Sequence, residues 1–317
     1  MMLPFYGGRM RALVSDADSG ELTIGEVDAP TPGSGESLVR VAEFGLNRAD
    51  YLYLRSGVAG FRPGVDAAGV VLAAAADGSG PEPGAAVAFH LPSGGAAAEL
   101  VAVPSERLAR VPDEVPAAVA AALPLAGLVA VRLLELAGPL AGATILGTGM
   151  GGGVGQLVIR LAVAGGARVL AVAESGQPVD HLVAAGAEVV TDIAAVPDGS
   201  VDVVLESVGG ALGSAAAHKL RTAGLLLWFG QASGQPLSLD FFDILRAGQS
   251  LTLRQFVYGD NGRPDRDARE LERLLVLVAG GELTVPIGHH RDWSHTARLL
   301  DDMAGGRLRG KAVLTVS

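Results

Sequence analysis

The sequence predicts an α/β protein in which a doubly wound parallel sheet is joined to a partly open β-barrel. Three observations carry this expectation. From Thr144 to Phe256 strand-like and helix-like stretches alternate, the pattern of a parallel sheet with crossover helices. From Met10 to about Pro112, short strand-like runs are separated by Gly/Pro-rich turns, with no long helical period, as in barrels. At the head of the alternating stretch, Ala143 to Ser175 reads strand, glycine turn, helix, strand within about 30 residues, the length of one βαβ unit.

The early elements follow from residue type. Arg11 to Val14, Leu22 to Val27, Leu38 to Phe44, Ala68 to Ala74, Ala86 to Phe89 and Ala97 to Val103 are the predicted strands. The stretches at 30–36, 77–84 and 92–95 are turns, dense in Gly, Pro and Ser. One helix interrupts the barrel, Asn47 to Arg55, opened by Asn, a good N-cap, and closed by Ser56–Gly57. Asp50 caps or salt-bridges within it. Pro116 to Leu136 is Ala/Leu-rich with Pro124 in the middle, which predicts two helices meeting at a break.

The βαβ unit starts with the strand Thr144 to Thr148. Gly149, Gly152 and Gly155 come next, spaced three apart. Glycine there lets the backbone turn tightly, approach a pyrophosphate, and pack the helix close to the strand. The helix N-terminus at Gly153, Val154 and Gly155 then offers N–H groups and a partial positive charge to phosphates. Arg168 to Ala173 is the second strand. Beyond it the pattern predicts a helix at 179–185, strands at 187–191 and 201–206, a helix at 211–220, and strands at 225–229 and 251–256. Helices at 267–279 and 294–303 and a strand at 312–316 close the chain, with His289–His290 in a solvated loop.

Composition excludes several classes. At 317 residues the chain can form two domains. A net charge of −10 argues against nucleic acid or an anionic membrane as partner. There is no cysteine, so disulfides, thiolate zinc sites and a cysteine nucleophile are all absent. Mean hydropathy is +0.38, and Leu136 to Ile159 carries no charge, but its eight glycines and one proline mark the nucleotide turn rather than a spanning helix. The N-terminus has no long apolar core, so it is read as a short extension of a cytoplasmic chain.

Six stretches in order, E-F-G-L-N-R-A-D (43–50), P-G-V-D-A-A-G-V-V (63–71), A-A-L-P-L-A-G-L-V-A (121–130), G-G-G-V-G (151–155), V-D-V-V-L-E-S-V-G-G (201–210) and G-R-L-R-G-K-A-V-L (306–314), carry a resemblance. The chain resembles the medium-chain dehydrogenase/reductase superfamily, specifically its zinc-independent quinone oxidoreductase branch. The resemblance implies a GroES-like barrel built from residues 1–115 and 257–317, a Rossmann domain at 116–256, and an active cleft between them. It also implies a homodimer, with 251–256 as the edge strand that pairs across a two-fold axis.

Residue roles carry over by position. In the zinc-dependent branch a cysteine matches Asn47 and a His-Glu pair matches Val65–Asp66, so the resemblance implies no zinc here. Asn47 is the leading catalytic candidate, donating to the substrate oxygen or the nicotinamide ribose. Tyr53 or Tyr51 would be a hydrogen-bond donor or acid. Ser207-Val208-Gly209, Phe229–Gly230 and Phe256 follow strand ends, where ligands bind in such sheets. Three usual contacts are missing, at Ala59, Val129 and Pro178. Ala173 stands where an NAD-selecting acid would be, yet Glu174 and Ser175 follow. The reading favours NADPH slightly over NADH, with Arg168 or Lys311 as the cation beside a 2′-phosphate.

The function expected is hydride transfer from NAD(P)H to a quinone or α,β-unsaturated carbonyl, a small-molecule substrate, without zinc. A reading from another class is a cofactor-binding sensor or structural protein with little catalysis. An alcohol dehydrogenase is the third and least favoured.

Overall fold

The computed structural model describes residues 8–15, 21–57, 60–174, 176–261 and 264–317. Ala59 and Ser175 therefore lie outside the described residues. The chain divides into two units, Met1–Leu128 with Gly262–Ser317, and Val129–Asn261.

The first unit starts with β1 (Arg9–Ser15), β2 (Leu22–Asp28), β3 (Glu36–Leu46), α1 (Arg48–Arg55), β4 (Asp66–Ala73), β5 (Ala86–His90), β6 (Leu100–Pro104), β7 (Ala109–Arg110), α2 (Ala117–Ala122) and the first residues of α3 (Pro124–Ala137). The second holds β8 (Thr144–Gly147), α4 (Gly153–Ala164), β9 (Arg168–Val172), α5 (Asp180–Ala184), β10 (Glu188–Val190), β11 (Val201–Glu206), α6 (Gly210–His218), β12 (Leu220–Trp228), α7 (Phe241–Arg246) and β13 (Leu251–Gln255). The chain then returns to the first unit with α8 (Pro264–Ala279), β14 (Ile287–Asp292), α9 (Thr296–Ala304) and β15 (Lys311–Thr315).

In the first unit a seven-stranded sheet runs β14-β15-β3-β4-β5-β7, with β6 also paired to β3. Strands from both chain ends thus share one sheet. β1 and β2 form a separate antiparallel pair, bridged to the rest between Ala12 and Ala98. The core gathers Leu13, Val39, Phe44, Leu46, Phe89 and Trp293, all fully or nearly fully buried. Two glycines make close packing possible. A Cβ on Gly69 would collide with the Arg40 carbonyl, and one on Gly45 with the Ala121 carbonyl. The small side chains of α2, A-A-V-A-A-A, complete that approach. This explains why the unit boundary falls after Leu128 and not after residue 115. The Ala-rich helix packs on β3 and β4, although in composition it resembles α3, most of which belongs to the second unit.

In the second unit six parallel strands run β10-β9-β8-β11-β12-β13. The order reverses between β8 and β11, a topological switch point, where ligands bind in such sheets. The expected doubly wound architecture is present, over a core of Leu146, Leu170, Val204, Ala217, Leu220 and Leu226.

Two expectations need correction. His289 and His290 lie on β14, parallel to β15, and not in a loop. The run I-G-H-H-R-D has too little apolar content to read as a strand, and it forms one because β15 offers it an edge. There His290 Nε2 lies 3.1 Å from both Glu43 carboxylate oxygens and from Thr315 Oγ1. The strand expected at 225–229 begins at Leu220, its pairing with β11 shifting register near Val203.

Candidate functional site

Each unit contributes its own polar constellation. In the second, β8 ends at Gly147 and leads into the glycine turn. Gly149 has φ +66°, in the left-handed region, and a Cβ there would collide with Ser207 Oγ. A Cβ on Gly155 would run into the Met150 backbone, so the start of α4 packs against the turn only because that residue is glycine. Gly152, the N-cap, needs no such allowance. It has φ −75°, and the nearest atom to an added Cβ is 3.7 Å away. The first helical bond runs from Gln156 N–H to the Gly152 carbonyl. The N–H groups of Gly153, Val154 and Gly155 precede it, in the first turn, where helical N–H groups have no intrahelical acceptor and can bind an anion. This cradle fits a dinucleotide pyrophosphate.

Glu206 supports the cradle from below. It ends β11 fully buried, and its Oε1 accepts from Thr148 Oγ1 at 3.0 Å and from the Val208 and Gly209 N–H groups at 2.8 Å each. Ser207 closes the link, its N–H donating to Thr148 Oγ1 and its hydroxyl to the Thr148 carbonyl, both at 3.0 Å. The loop after β12 is tied to the same place. Ala232 and Ser233 N–H donate to the carbonyls of Ser207 and Val208, Phe229 N–H to that of Glu206, and Phe256 N–H to that of Trp228. The structure therefore brings together the turn at Gly149, Ser207-Val208-Gly209, Phe229–Gly230 and Phe256. Ala173 and Glu174 come after β9 on the same side of this parallel sheet.

The first unit holds a buried network around Asn47. The sheet register sets it up: Asp66 pairs across β4 and β5 with His90 and across β3 and β4 with Gly45, while Leu46 pairs with Ala312 on β15. Asn47 follows β3 and Lys311 opens β15, so both reach Asp66. Lys311 Nζ donates to Asn47 Oδ1 at 2.6 Å and to the Leu46 carbonyl at 3.1 Å, and lies 3.8 Å from Asp66 Oδ2. Asn47 Nδ2 donates to Asp66 Oδ2 at 2.8 Å and, more weakly, to the Gly45 carbonyl at 3.3 Å. Asp66 also meets His90 Nδ1 at 2.8 Å and accepts from Leu125 N–H at 3.0 Å.

Asp50 completes the cluster, taking the N–H groups of Asn47, Gly64 and Val65. It caps its own helix, as expected, and also fastens the loop that enters β4. Burial pushes its carboxyl up to about 6, against the pull of the Asn47 and Gly64 N–H donors, with Asp66 pushing the same way as burial and Lys311 opposing. Burial likewise lowers the Lys311 ammonium, which Asp66 and Asp50 hold up in part.

The sequence candidates are placed unequally by this geometry. Asn47 is 8% exposed and both of its amide hydrogens have protein acceptors, leaving an Oδ1 lone pair as its open capacity. Tyr53 is 41% exposed and meets the Phe61 ring edge-on at 5.2 Å. Tyr51, two residues away and so on another face of the helix, packs against the barrel core with the Arg55 guanidinium 5.7 Å from its ring. The two tyrosines do not converge. Lys311 is no phosphate ligand, because its buried ammonium is spent on Asn47, Leu46 and Asp66. Arg168 opens β9, at the end opposite Glu174, and is paired with Glu188 at 2.8 and 2.6 Å. The donor set does not fit zinc. An amide held between an ammonium and a carboxylate and the alkyl side chain of Val65 stand at the ligand positions, and the described residues contain no group of three His, Cys, Asp or Glu able to hold a metal. Sequence reasoning missed Glu206 and the hub role of Asp66. An acid at the end of the apolar run V-D-V-V-L-E was the available signal for Glu206.

Comparison with known proteins agrees with this architecture. Residues 33–113 match the alcohol dehydrogenase GroES-like domain, and residues 153–276 match the zinc-binding dehydrogenase family. A probable quinone oxidoreductase of Schizosaccharomyces pombe is 32% identical over 223 residues, 65% of this chain and 67% of that one. Prostaglandin reductase-3 of Bos taurus is 30% identical over 281 residues, 81% and 73% of the two chains. Among solved structures, a mycobacterial protein complexed with NADPH superposes with a TM-score of 0.85 at 27% identity, over 97% of this chain and all of that one. With two domain matches in register and relatives of this kind, the chain belongs to the medium-chain dehydrogenase/reductase superfamily, in its quinone oxidoreductase-like branch.

Proposed function

We propose that this chain is a zinc-independent oxidoreductase that moves a hydride from a nicotinamide dinucleotide to a quinone or an α,β-unsaturated carbonyl. The observation that carries the reading is the switch-point cradle, in which Gly149 to Gly155 and Ser207 to Gly209 are locked together by Thr148 and Glu206. The relatives named as a quinone oxidoreductase and a prostaglandin reductase support the acceptor class. A dinucleotide bound there would supply a hydride, and a quinone or enone that accepted it could take its proton from water. A conjugated acceptor delocalises the charge it gains, so no Lewis acid is required.

The chain's own residues hold and orient. The N–H groups of Gly153, Val154 and Gly155 bind the pyrophosphate, and Ser207 to Gly209 and Phe229–Gly230 line the strand ends beside it. Asn47 accepts a ribose hydroxyl through Oδ1, and its donor capacity is committed to Asp66 and Gly45. Tyr53, the exposed tyrosine of α1, is the hydrogen-bond donor to the acceptor. The homodimer would form through β13, the free edge of the six-stranded sheet, where Leu253 is exposed. No helix among the described residues is long and apolar enough to cross a membrane.

Dinucleotide oxidation followed at 340 nm with a panel of quinones and 2-alkenals tests the reading. Turnover with at least one acceptor, reduced about tenfold or more in Asn47→Ala, is expected. The engaged Asn47 amide favours a second reading, a cofactor-binding sensor. Tight dinucleotide binding with no turnover on any acceptor would establish it in place of the first.

A further inference from the structure

The end of β9 is acidic, and among the described residues of the second unit no Lys or Arg is placed beside it. Glu174 is exposed there, one residue past Ala173. Gln177 Nε2 donates to Glu174 Oε2 at 2.7 Å, and Gln177 N–H donates to the Glu174 carbonyl. The carboxylate is thereby held by its own turn, with its other oxygen available. Asp192, just past the end of the neighbouring β10, adds a second exposed acid. No Lys or Arg occurs between Arg168 and Lys219. Arg168 is bound to Glu188 at the far end of the strand, roughly 15–20 Å away by strand rise. Lys219 is bound to Asp198 at 2.6 Å. Of the other cations in this unit, Arg221 pairs with Asp202, Arg246 with Asp243, and Arg132 stacks on Tyr258. Arg160 lies well along α4, where its guanidinium donates to the Gln156 carbonyl, and Arg254 lies on β13 at the opposite edge of the sheet.

We propose that this chain selects NADH over NADPH and that Glu174 is the selecting residue. The inference rests on the dinucleotide reading above. A ribose 2′-hydroxyl can donate to the free carboxylate oxygen of Glu174. A 2′-phosphate, carrying about two negative charges, would meet that carboxylate with no described cation of this unit to offset it. The site thus disagrees with the phosphorylated cofactor seen in the mycobacterial relative and with the slight preference for NADPH expected from sequence. The two cations that preference required, Arg168 and Lys311, are both committed elsewhere.

Fluorescence titration of the full chain with NADH and with NADPH tests this without turnover. Wild type should bind NADH at least about tenfold more tightly, a difference of about 1.4 kcal/mol. Glu174→Gln should bring the two within about threefold, and Glu174→Arg should invert the order. Raising salt from about 50 to about 500 mM should narrow the wild-type gap by screening the repulsion, and should leave Glu174→Gln unchanged. Glu174 is exposed, so neither variant threatens folding. NADPH binding as tightly as NADH in wild type, or a tenfold gap surviving in Glu174→Gln, overturns the inference and leaves the dinucleotide reading standing. Binding of neither nucleotide overturns that reading itself.

Discussion

Lys311 Nζ lies 2.6 Å from Asn47 Oδ1, and this contact dictates which way the Asn47 amide faces. With the ammonium on one side and the Asp66 carboxylate on the other, only one orientation satisfies both, and a flip would set donor against donor and acceptor against acceptor. Lys311 is also the lysine that faces the two buried acids Asp66 and Asp50 in the described network. Lys311→Met should therefore cost about 3–5 kcal/mol, the usual penalty for orphaning a buried charge. Lys311→Met combined with Asp66→Asn should be less destabilised than Lys311→Met alone, as measured by urea unfolding. A double mutant as weak as the sum of the singles would show that the two groups do not compensate one another.

Asp50 links stability to pH. Its carboxyl is raised from 3.8 to about 6, so the folded state holds that proton more tightly than the unfolded chain does. The resulting stabilisation is full below about pH 4 and is lost as pH rises through about 6. Asp50→Asn has no such proton. The stability of wild type relative to Asp50→Asn should accordingly fall between about pH 4 and pH 7, by on the order of 2–3 kcal/mol. Denaturant melts across this range check it, and a constant difference would mean that burial does not perturb the group.

The glycines of the turn should respond in a set order. Gly155→Ala drives a methyl into the Met150 backbone and should destabilise most, by more than about 2 kcal/mol. Gly149→Ala must hold a left-handed conformation, at about 1–2 kcal/mol, and must also displace the Ser207 hydroxyl. Gly152→Ala meets no clash but replaces an N-cap glycine by the poorer capping residue, at about 0.5–1 kcal/mol, and should weaken dinucleotide binding roughly tenfold by covering the amide cradle. Thermal unfolding and cofactor titration on the three variants separate these effects. A Gly152→Ala protein that binds normally would move the pyrophosphate site elsewhere.

Glu206 should behave as a buried hub. Glu206→Ala leaves the Thr148 hydroxyl and the Val208 and Gly209 N–H groups without their acceptor, at about 3 kcal/mol or more. Glu206→Gln keeps an oxygen at that point and should recover more than half of the loss. Equal destabilisation in both variants would assign the role to charge rather than to acceptance.

The alternation that builds the parallel sheet, the short-strand barrel, and the glycine turn at the head of α4 were all legible in the residues alone. These are local signals, set by period, by turn residues and by conformations that only glycine adopts readily. The positions that follow strands, at Ser207, Phe229 and Phe256, were readable once the strands were, whereas Asn47 was singled out only through the family resemblance. What those side chains touch came from the three-dimensional packing. Asp66, His90, Asn47 and Lys311 come from widely separated parts of the chain and meet only through the register of β3, β4, β5 and β15. Lys311 looked like a spare cation in sequence and is committed in the fold. Glu174 looked like a neighbour of the selecting position, and the pairing of Arg168 with Glu188 at the other end of β9 leaves the exposed acids Glu174 and Asp192 at this end of the sheet. Partner choice depends on distances across the sheet, which no single stretch of chain encodes.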